Sequence, residues 1–437
     1  MRKNLFKKVL ALTLASTMAL SMAGCGSKGG SSDAKNDDGT ITLNVWHQWS
    51  NDTNELKSKY EEAVKAYEKE NAGVKIKTET LDTEAYKTKI NAEFAGDAKG
   101  IDVFYWWGAG TAKKLVDAGK VMALDDYVTD DVKSKILEGS TSAFEFDGKL
   151  YSVPMFSWYM TLFCNKTMFD KAGATLPTTY DELVDAVKKL KKLDGVTPMA
   201  AGAKDGWNAA FVYQALALRE VGATGVNEML SGKKEFGDEG FKKAAQKVSD
   251  LYEMGAFGDN PLEQGNDDAN AAFENGKAAM RLMGSWFANN VYTDDAATIK
   301  PEEVVALKIP TIADGKGEAT DYCGGFVESF WVNNNTKYKE EAAKFCIYIN
   351  EKMGVASYET GSGFSGWTTP ADESNLNPLF IQIKDLLAEG KQGVLAWDTS
   401  LESEPAAVHN EQVQTLFADG ADIDAFIDEH KAAINGK

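Results

Sequence analysis

Tyr151–Asp170 reads YSVPMFSWYMTLFCNKTMFD, and the order of residue types in it divides the chain. Pro154 lacks the N–H that a strand ladder needs and holds Val153 extended. Phe156, Trp158, Tyr159 and Met160 follow, and Leu162-Phe163-Cys164 continues apolar before Asn165 and Lys166 turn polar. The pattern is an extended segment, a break, then a second strand leading into a helix. It fits a chain that leaves one domain and enters another past a wet, aromatic-lined gap. An ordinary buried strand pair would give the same apolar run.

Upstream, strands alternate with amphipathic helices. Ile41, Leu43 and Val45 alternate as a strand, and Leu56, Tyr60, Ala63, Val64 and Tyr67 recur at helical spacing. Val74–Thr78 predicts a short strand, Tyr86, Ile90 and Phe94 one helical face, and Ile101–Trp106 a third strand ending at Gly108. Downstream, Pro177 and the box Thr179-x-x-Glu182 start a helix whose Leu183, Val184, Val187 and Leu190 face inward. Trp207-Asn208 opens another through Val221. A helix over Phe273–Ala278 gives way to a strand over Ala279–Met283, and Val304–Ile309 and Cys323–Asn333 read as strands. A helix at Tyr338–Glu351 follows, and helical spacing returns at Ile423, Phe426, Ile427 and Ile434. Such βαβα order implies an α/β protein whose sheets carry helices on both faces, with ligand chemistry where strands end.

A chain of 437 residues, 43% hydrophobic and 26% charged, has an ordinary globular composition and a length suited to two domains. Its formal net charge of −19 argues against nucleic acid or anionic lipid as a partner of a basic surface. Neutral and cationic ligands stay open. Arg2, Lys3, Lys7 and Lys8 precede an apolar Val9–Leu20 run and the small residues before Cys25, the layout of an export signal. The apolar run is too short to span a bilayer well. Residues 26–39, GSKGGSSDAKNDDG, carry too little apolar surface to order themselves and read as a tether.

Eight of the ten Trp stand in loops or near strand ends and helix starts. Trp46 and Trp49 flank His47, Trp106-Trp107 close the third strand, Trp158 follows the break, Trp207 opens a helix, Trp286 ends a strand, and Trp367 lies in a Gly-rich loop. A sugar presents hydroxyls to polar groups and an apolar ring face to aromatics, so this placement suits a carbohydrate cleft. Trp46 alternates with Val45 and fits a core position as well. Apart from Cys25, the cysteines are Cys164, Cys323 and Cys346, which read as buried free thiols. No metal-ligand spacing occurs, and only three imidazoles are present, so neither a metal nor a cofactor is expected.

Thr42–Asp52 (TLNVWHQWSND), Asp102–Gly110 (DVFYWWGAG), Tyr151–Phe169, Phe273–Trp286 (FENGKAAMRLMGSW) and Gly324-Gly325 before an Ala-Lys-Phe helix resemble, in order, the carbohydrate-binding extracellular solute-binding proteins of ABC importers, of the maltodextrin-binding type. The resemblance spans nearly the whole mature chain. It implies a two-lobed periplasmic-binding-protein-like fold of type II, with ligand in the cleft and no catalysis. The expected lobes are 40–152 with 322–356, and 153–321 with 357–437. Met22-Ala23-Gly24-Cys25 resembles a lipoprotein cleavage box, although Met is less usual than Leu at its first position. It implies removal of residues 1–24 and lipidation of Cys25, which would hold a monomeric receptor on the extracellular face of the membrane beside permease subunits. Trp286 and Trp106 occupy positions where family members stack on sugar; Trp49, His47, Trp107, Trp158, Trp207, Asn208 and Trp367 are further ligand candidates. Gly324 and Gly325 would let backbone approach the ligand. A polyamine carrier of the same architecture and a secreted glycoside hydrolase, which needs two placed carboxylates, are the alternatives.

Overall fold

A computed structural model describes residues 39–436 apart from 52–53, 294–296 and 375. The signal segment, Cys25 and the tether through residue 38 lie outside the described residues.

The strands are β1 (Ile41–His47), β2 (Val74–Thr80), β3 (Val103–Trp107), β4 (Glu145–Phe146), β5 (Lys149–Leu150), β6 (Phe156–Asn165), β7 (Thr197–Ala200), β8 (Ala278–Gly284), β9 (Val304–Leu307), β10 (Asp321–Val332), β11 (Phe364–Ser365) and β12 (Gln392–Val394). The helices up to the centre of the chain are α1 (Glu55–Glu70), α2 (Thr83–Ala95), α3 (Ala109–Asp117), α4 (Asp130–Lys135), α5 (Lys166–Ala172), α6 (Tyr180–Leu190) and α7 (Gly206–Leu230). They continue as α8 (Glu239–Glu253), α9 (Asn266–Glu274), α10 (Phe287–Thr293), α11 (Lys339–Glu359), α12 (Pro378–Ala388), α13 (Trp397–Ser400), α14 (Ser403–Thr415) and α15 (Ile423–Asn435).

Two strands join everything else. β10 spends its second half, Glu328–Val332, antiparallel to β3, which with β1 and β2 forms a parallel edge. Its middle, Gly324–Glu328, pairs with the first residues of β6, and its start pairs with β12. β6 then continues beside β8 and β9, and β8 runs parallel to β7. At twelve and ten residues, β10 and β6 exceed the usual five or six because each serves two cores. Val153, Met155, Phe156, Phe330 and Val332 pack with β1–β3 and α11, whereas Trp158, Leu162, Phe163 and Cys323 pack with β7, β8 and α7. The polypeptide passes between cores again after α11: Met353 and Trp367 belong to the first, while Tyr358, Phe364 and Leu379 lie against or within the second.

Local signals place most elements. Thr179 and Glu182 close the reciprocal capping box read from the sequence. The break before β6 is held from outside, because Trp367 Nε1 donates to Pro154 O at 2.7 Å. Some bounds shift: α11 runs on to Glu359, β9 stops at Leu307, and α9 ends at Glu274 instead of reaching Ala278, since Gly276 enters the left-handed region (φ 65°) and turns the chain into β8. Cys164, Cys323 and Cys346 are buried free thiols.

Candidate functional site

The carboxyl ends of β1 and β3 and one face of α2 form one wall. Gly108 and Ala109 follow β3, and Ala109 takes φ 51°, a left-handed conformation unusual for a residue with a side chain. Alternation along β3 sends Trp106 and Trp107 to opposite faces, although their rings still meet edge to face at 5.5 Å. Trp106 is buried, 6.5 Å from Tyr86, with its indole N–H toward Thr111 O at 3.5 Å. Trp107 is half-buried, 5.2 Å edge-on from Tyr105. Glu328 faces Trp107 in the register of β10. Burial pushes the Glu328 carboxyl up to about 7, while Tyr105, Trp107 and Lys87 favour its ionised form. Tyr105 leans toward that carboxyl, yet its hydroxyl makes no hydrogen bond of ordinary geometry. At the end of β1, Gln48 Oε1 is likewise buried without a partner.

The opposite wall is aromatic. Trp286 lies 5.0 Å from Trp158, edge to face, and 6.5 Å from Trp207, while Phe211 stacks on Trp158 at 5.3 Å. The Gly-Ser-Trp sequence explains the posture of Trp286. A Cβ on Gly284 would fall 2.0 Å from the indole, so only glycine lets the ring fold back over the strand end. Ser285 Oγ accepts from Tyr159 N at 3.2 Å and fixes the turn against β6.

Beneath Trp207 lies Arg281 of β8, fully buried. Its Nη2 donates to Asn208 Oδ1 at 2.6 Å and Asn266 Oδ1 at 3.1 Å, Nε to Asn270 Oδ1 at 3.1 Å, and Nη1 to Ala200 O and Ala201 O. Burial lowers the guanidinium to about 9, and the charges of Glu274, Asp205 and Asp267 oppose the fall. The starts of α7 and α9 are thereby fixed to the strand that ends in Trp286.

The walls touch. Asn289 Nδ2 of α10 donates to Glu55 Oε2 of α1 at 3.3 Å. Thr111 Oγ1 of α3 lies 3.3 Å from the carbonyl oxygens of Asp398 and Thr399 of α13. Lys87 Nζ of α2 sits 5.1 Å from the ring centroid of Trp107 and 5.8 Å from that of Trp207, one indole from each wall. It also pairs with Glu84 at 3.1 Å. Asp398 retains some accessible surface but is enclosed by protein, which raises its carboxyl, and Lys87 opposes that rise.

Of the residues named from sequence, Trp107, Trp158, Trp207 and Trp286 gather in this region. The others serve the scaffold. His47 and Trp49 are buried in an aromatic cluster with Tyr60, Tyr105 and Phe330; burial, with Lys57 nearby, holds His47 neutral and down to about 3. Asn208 is engaged by Arg281, and Trp367 by Pro154. Gly324 and Gly325 stand close against other parts of the chain. A Cβ at Gly324 would meet Trp158 O at 2.0 Å and one at Gly325 would meet Leu395 Cδ2 at 2.6 Å, so these glycines let β10 approach its own neighbours. Sequence reasoning missed Gln48, Lys87, Glu328 and Asp398. Lys87 follows core Tyr86 on an amphipathic helix, and nothing in that spacing distinguishes it from a solvated lysine.

A family model described as bacterial extracellular solute-binding protein matches residues 50–355. The galactooligosaccharide-binding protein of Bacillus subtilis (strain 168) is 29% identical over 370 residues, covering 81% of this chain and 79% of that protein. The multiple sugar-binding protein of Streptococcus mutans is 24% identical over 368 residues, 81% and 80% of the two chains. Among solved structures, one from work on xylan utilization by Caldanaerobius polysaccharolyticus superposes with a TM-score of 0.85 at 36% identity, covering 90% of this chain and 99% of that one. A chitin oligosaccharide binding protein shares the fold, with a TM-score of 0.82 at 21% identity over 91% and 98% of the chains.

Proposed function

Because this chain belongs to the bacterial extracellular solute-binding proteins, we propose that it is a receptor that captures a neutral oligosaccharide between its lobes and delivers it to an ABC permease. The observation that carries this reading is the pairing of half-buried Trp107 on one wall with Trp207 and Trp286 on the other, beside Gln48, Glu328 and Asp398. Indole faces cover the apolar faces of pyranose rings, and the carboxylates and amide accept from their hydroxyls. Several indoles suit several sugar units better than one. The similarity to the protein from xylan utilization makes β-1,4-linked xylo-oligosaccharides the first ligands to test, followed by galacto-oligosaccharides. Calorimetry against such a panel should yield micromolar or tighter binding for one series; no binding across neutral oligosaccharides would refute the reading.

We also take the lobe boundaries as 40–152 with 322–356 and 153–321 with 357–437. The two hydrophobic cores support this partition, with Trp367 and Val153–Phe156 reaching back to the first core. Cys25 is the proposed lipid anchor, the signal segment being removed, and the folded body works as a monomer on the outer face of the membrane. The described residues contain no helix long and apolar enough to cross a membrane. Two acyl chains on Cys25 would hold the protein stably where one would not.

A further inference from the structure

We propose that Lys87 is a resident cation that fills a potential cation-binding cage and so restricts the cleft to uncharged ligands. The inference rests on the cleft assigned above and adds its discrimination rule.

Two indoles facing one point, with carboxylates around it, make a site for an organic cation: the ring faces attract positive charge and the carboxylates compensate it. Trp107 and Trp207 supply the indoles at 5.1 and 5.8 Å from a single nitrogen. Glu84 makes an ion pair with that nitrogen at 3.1 Å, and the Lys87 charge acts on both Glu328 and Asp398. The nitrogen occupying this position belongs to the protein. Its side chain retains 29% of its exposure, so it meets the open space of the cleft and is not walled into the core.

Two consequences follow for a ligand. A polyamine or a glucosamine unit finds the point between the two indoles already holding a like charge, whose repulsion is strong where water is scarce. A neutral sugar meets an ammonium that can donate to its hydroxyls and carboxylates that can accept from them. The same three acids that would favour a cation in the absence of Lys87 are neutralised in part by its presence.

The test compares the wild-type protein with Lys87→Met and Lys87→Arg. Met keeps the length and apolar contact of the side chain and removes the charge; Arg retains it. Binding of spermidine, of a β-1,4-glucosamine tetramer and of the neutral oligosaccharide panel is measured by calorimetry at low and at high salt, with circular dichroism as the folding control. Lys87→Met is expected to bind both cationic probes at least tenfold more tightly than wild type, the gain shrinking as salt screens the carboxylates. Lys87→Arg is expected to exclude them as wild type does. A gain below threefold in folded Lys87→Met overturns the proposal, as does tight spermidine binding by the wild type. Should Lys87→Met fold poorly, Lys87→Gln gives the same comparison. If the wild type binds no neutral oligosaccharide, the receptor assignment fails while the cation comparison still reads the cage.

Discussion

Asn289 and Glu55 belong to helices that pack on different hydrophobic cores, and Asn289 Nδ2 donates to Glu55 Oε2 across them at 3.3 Å. Such a bond exists only while the lobes are together, so it biases the population toward closure whether or not ligand is present. A hydrogen bond of about 1 kcal/mol shifts an open–closed ratio about fivefold. Asn289→Ala should therefore raise the radius of gyration of the ligand-free protein in small-angle scattering and weaken ligand binding by a few fold. Unchanged scattering and affinity would show that closure does not depend on this contact.

Trp286 and Trp106 should respond differently to truncation. A stacked indole covers about 60 Å² of sugar, which at about 25 cal/mol per Å² amounts to about 1.5 kcal/mol, or about tenfold in affinity. Trp286→Ala is expected to lose that affinity and keep its melting temperature. Trp106 is buried against Tyr86, so Trp106→Ala should lower stability by about 3 kcal/mol or more. Calorimetry and thermal melts on both variants separate the two outcomes; a Trp106→Ala protein that melts like wild type would put that ring in the cleft instead.

Acid should destabilise the fold through its three histidines. His430 Nδ1 lies 2.9 Å from Phe426 O and must donate to it, so its Nε2 accepts from His409 Nδ1 at 2.9 Å, and His409 Nε2 accepts from Gln214 at 3.0 Å. The chain of bonds requires both rings neutral. Burial lowers His430 to about 4 and His47 to about 3, and drives His409 well below its usual value, with the neighbouring His430 adding to the fall. The unfolded chain binds these protons near pH 6.5, so the unfolded state holds more protons below that pH. The histidine contribution is complete above about pH 6.5 and falls with acidification toward pH 4, by up to about 1.4 kcal/mol per pH unit for each ring; the raised Glu328 carboxyl, a single group, works the other way up to about 7 and offsets only part of it. Urea unfolding at pH 7, 6 and 5 should show that slope, and His430→Gln should reduce it. A flat profile over this range would contradict the assignment.

Cys25→Ala should release the protein from the membrane fraction into the medium. Fractionation of cells carrying either form reads the result directly, and retention of the variant on the membrane would exclude Cys25 as the anchor.

The fold was more legible in the sequence than the site, and particular residues show why. Leu43 and Val45, or Tyr86, Ile90 and Phe94, announce their elements because strand and helix periods repeat over neighbouring residues. The break at Pro154 was equally local. Trp106 and Trp107 are adjacent strand-end residues, and which of them is buried depends on what packs over each face of β3, as Tyr86 of α2 does beside Trp106. Gly324 carries the same ambiguity: a glycine there suits the close approach of a ligand or of a neighbouring strand, and the Trp158 carbonyl, 166 residues away in sequence, lies where its Cβ would be. Lys87, Glu328 and Asp398 meet only because α2, β10 and α13 converge in space. No periodicity encodes that convergence.

The Arg281 hub has a thermodynamic consequence. With the starts of α7 and α9 tied by three donated hydrogen bonds to a buried guanidinium, and the end of β7 by two more, the Trp207–Trp286 wall is already ordered before any sugar arrives. Side-chain ordering then adds little to the entropy of association. The entropy change measured on binding should reflect water release and the reduced swing of two rigid halves. Arg281→Met, if it folds, would transfer part of that ordering to the binding step and appear as a more unfavourable entropy at similar enthalpy.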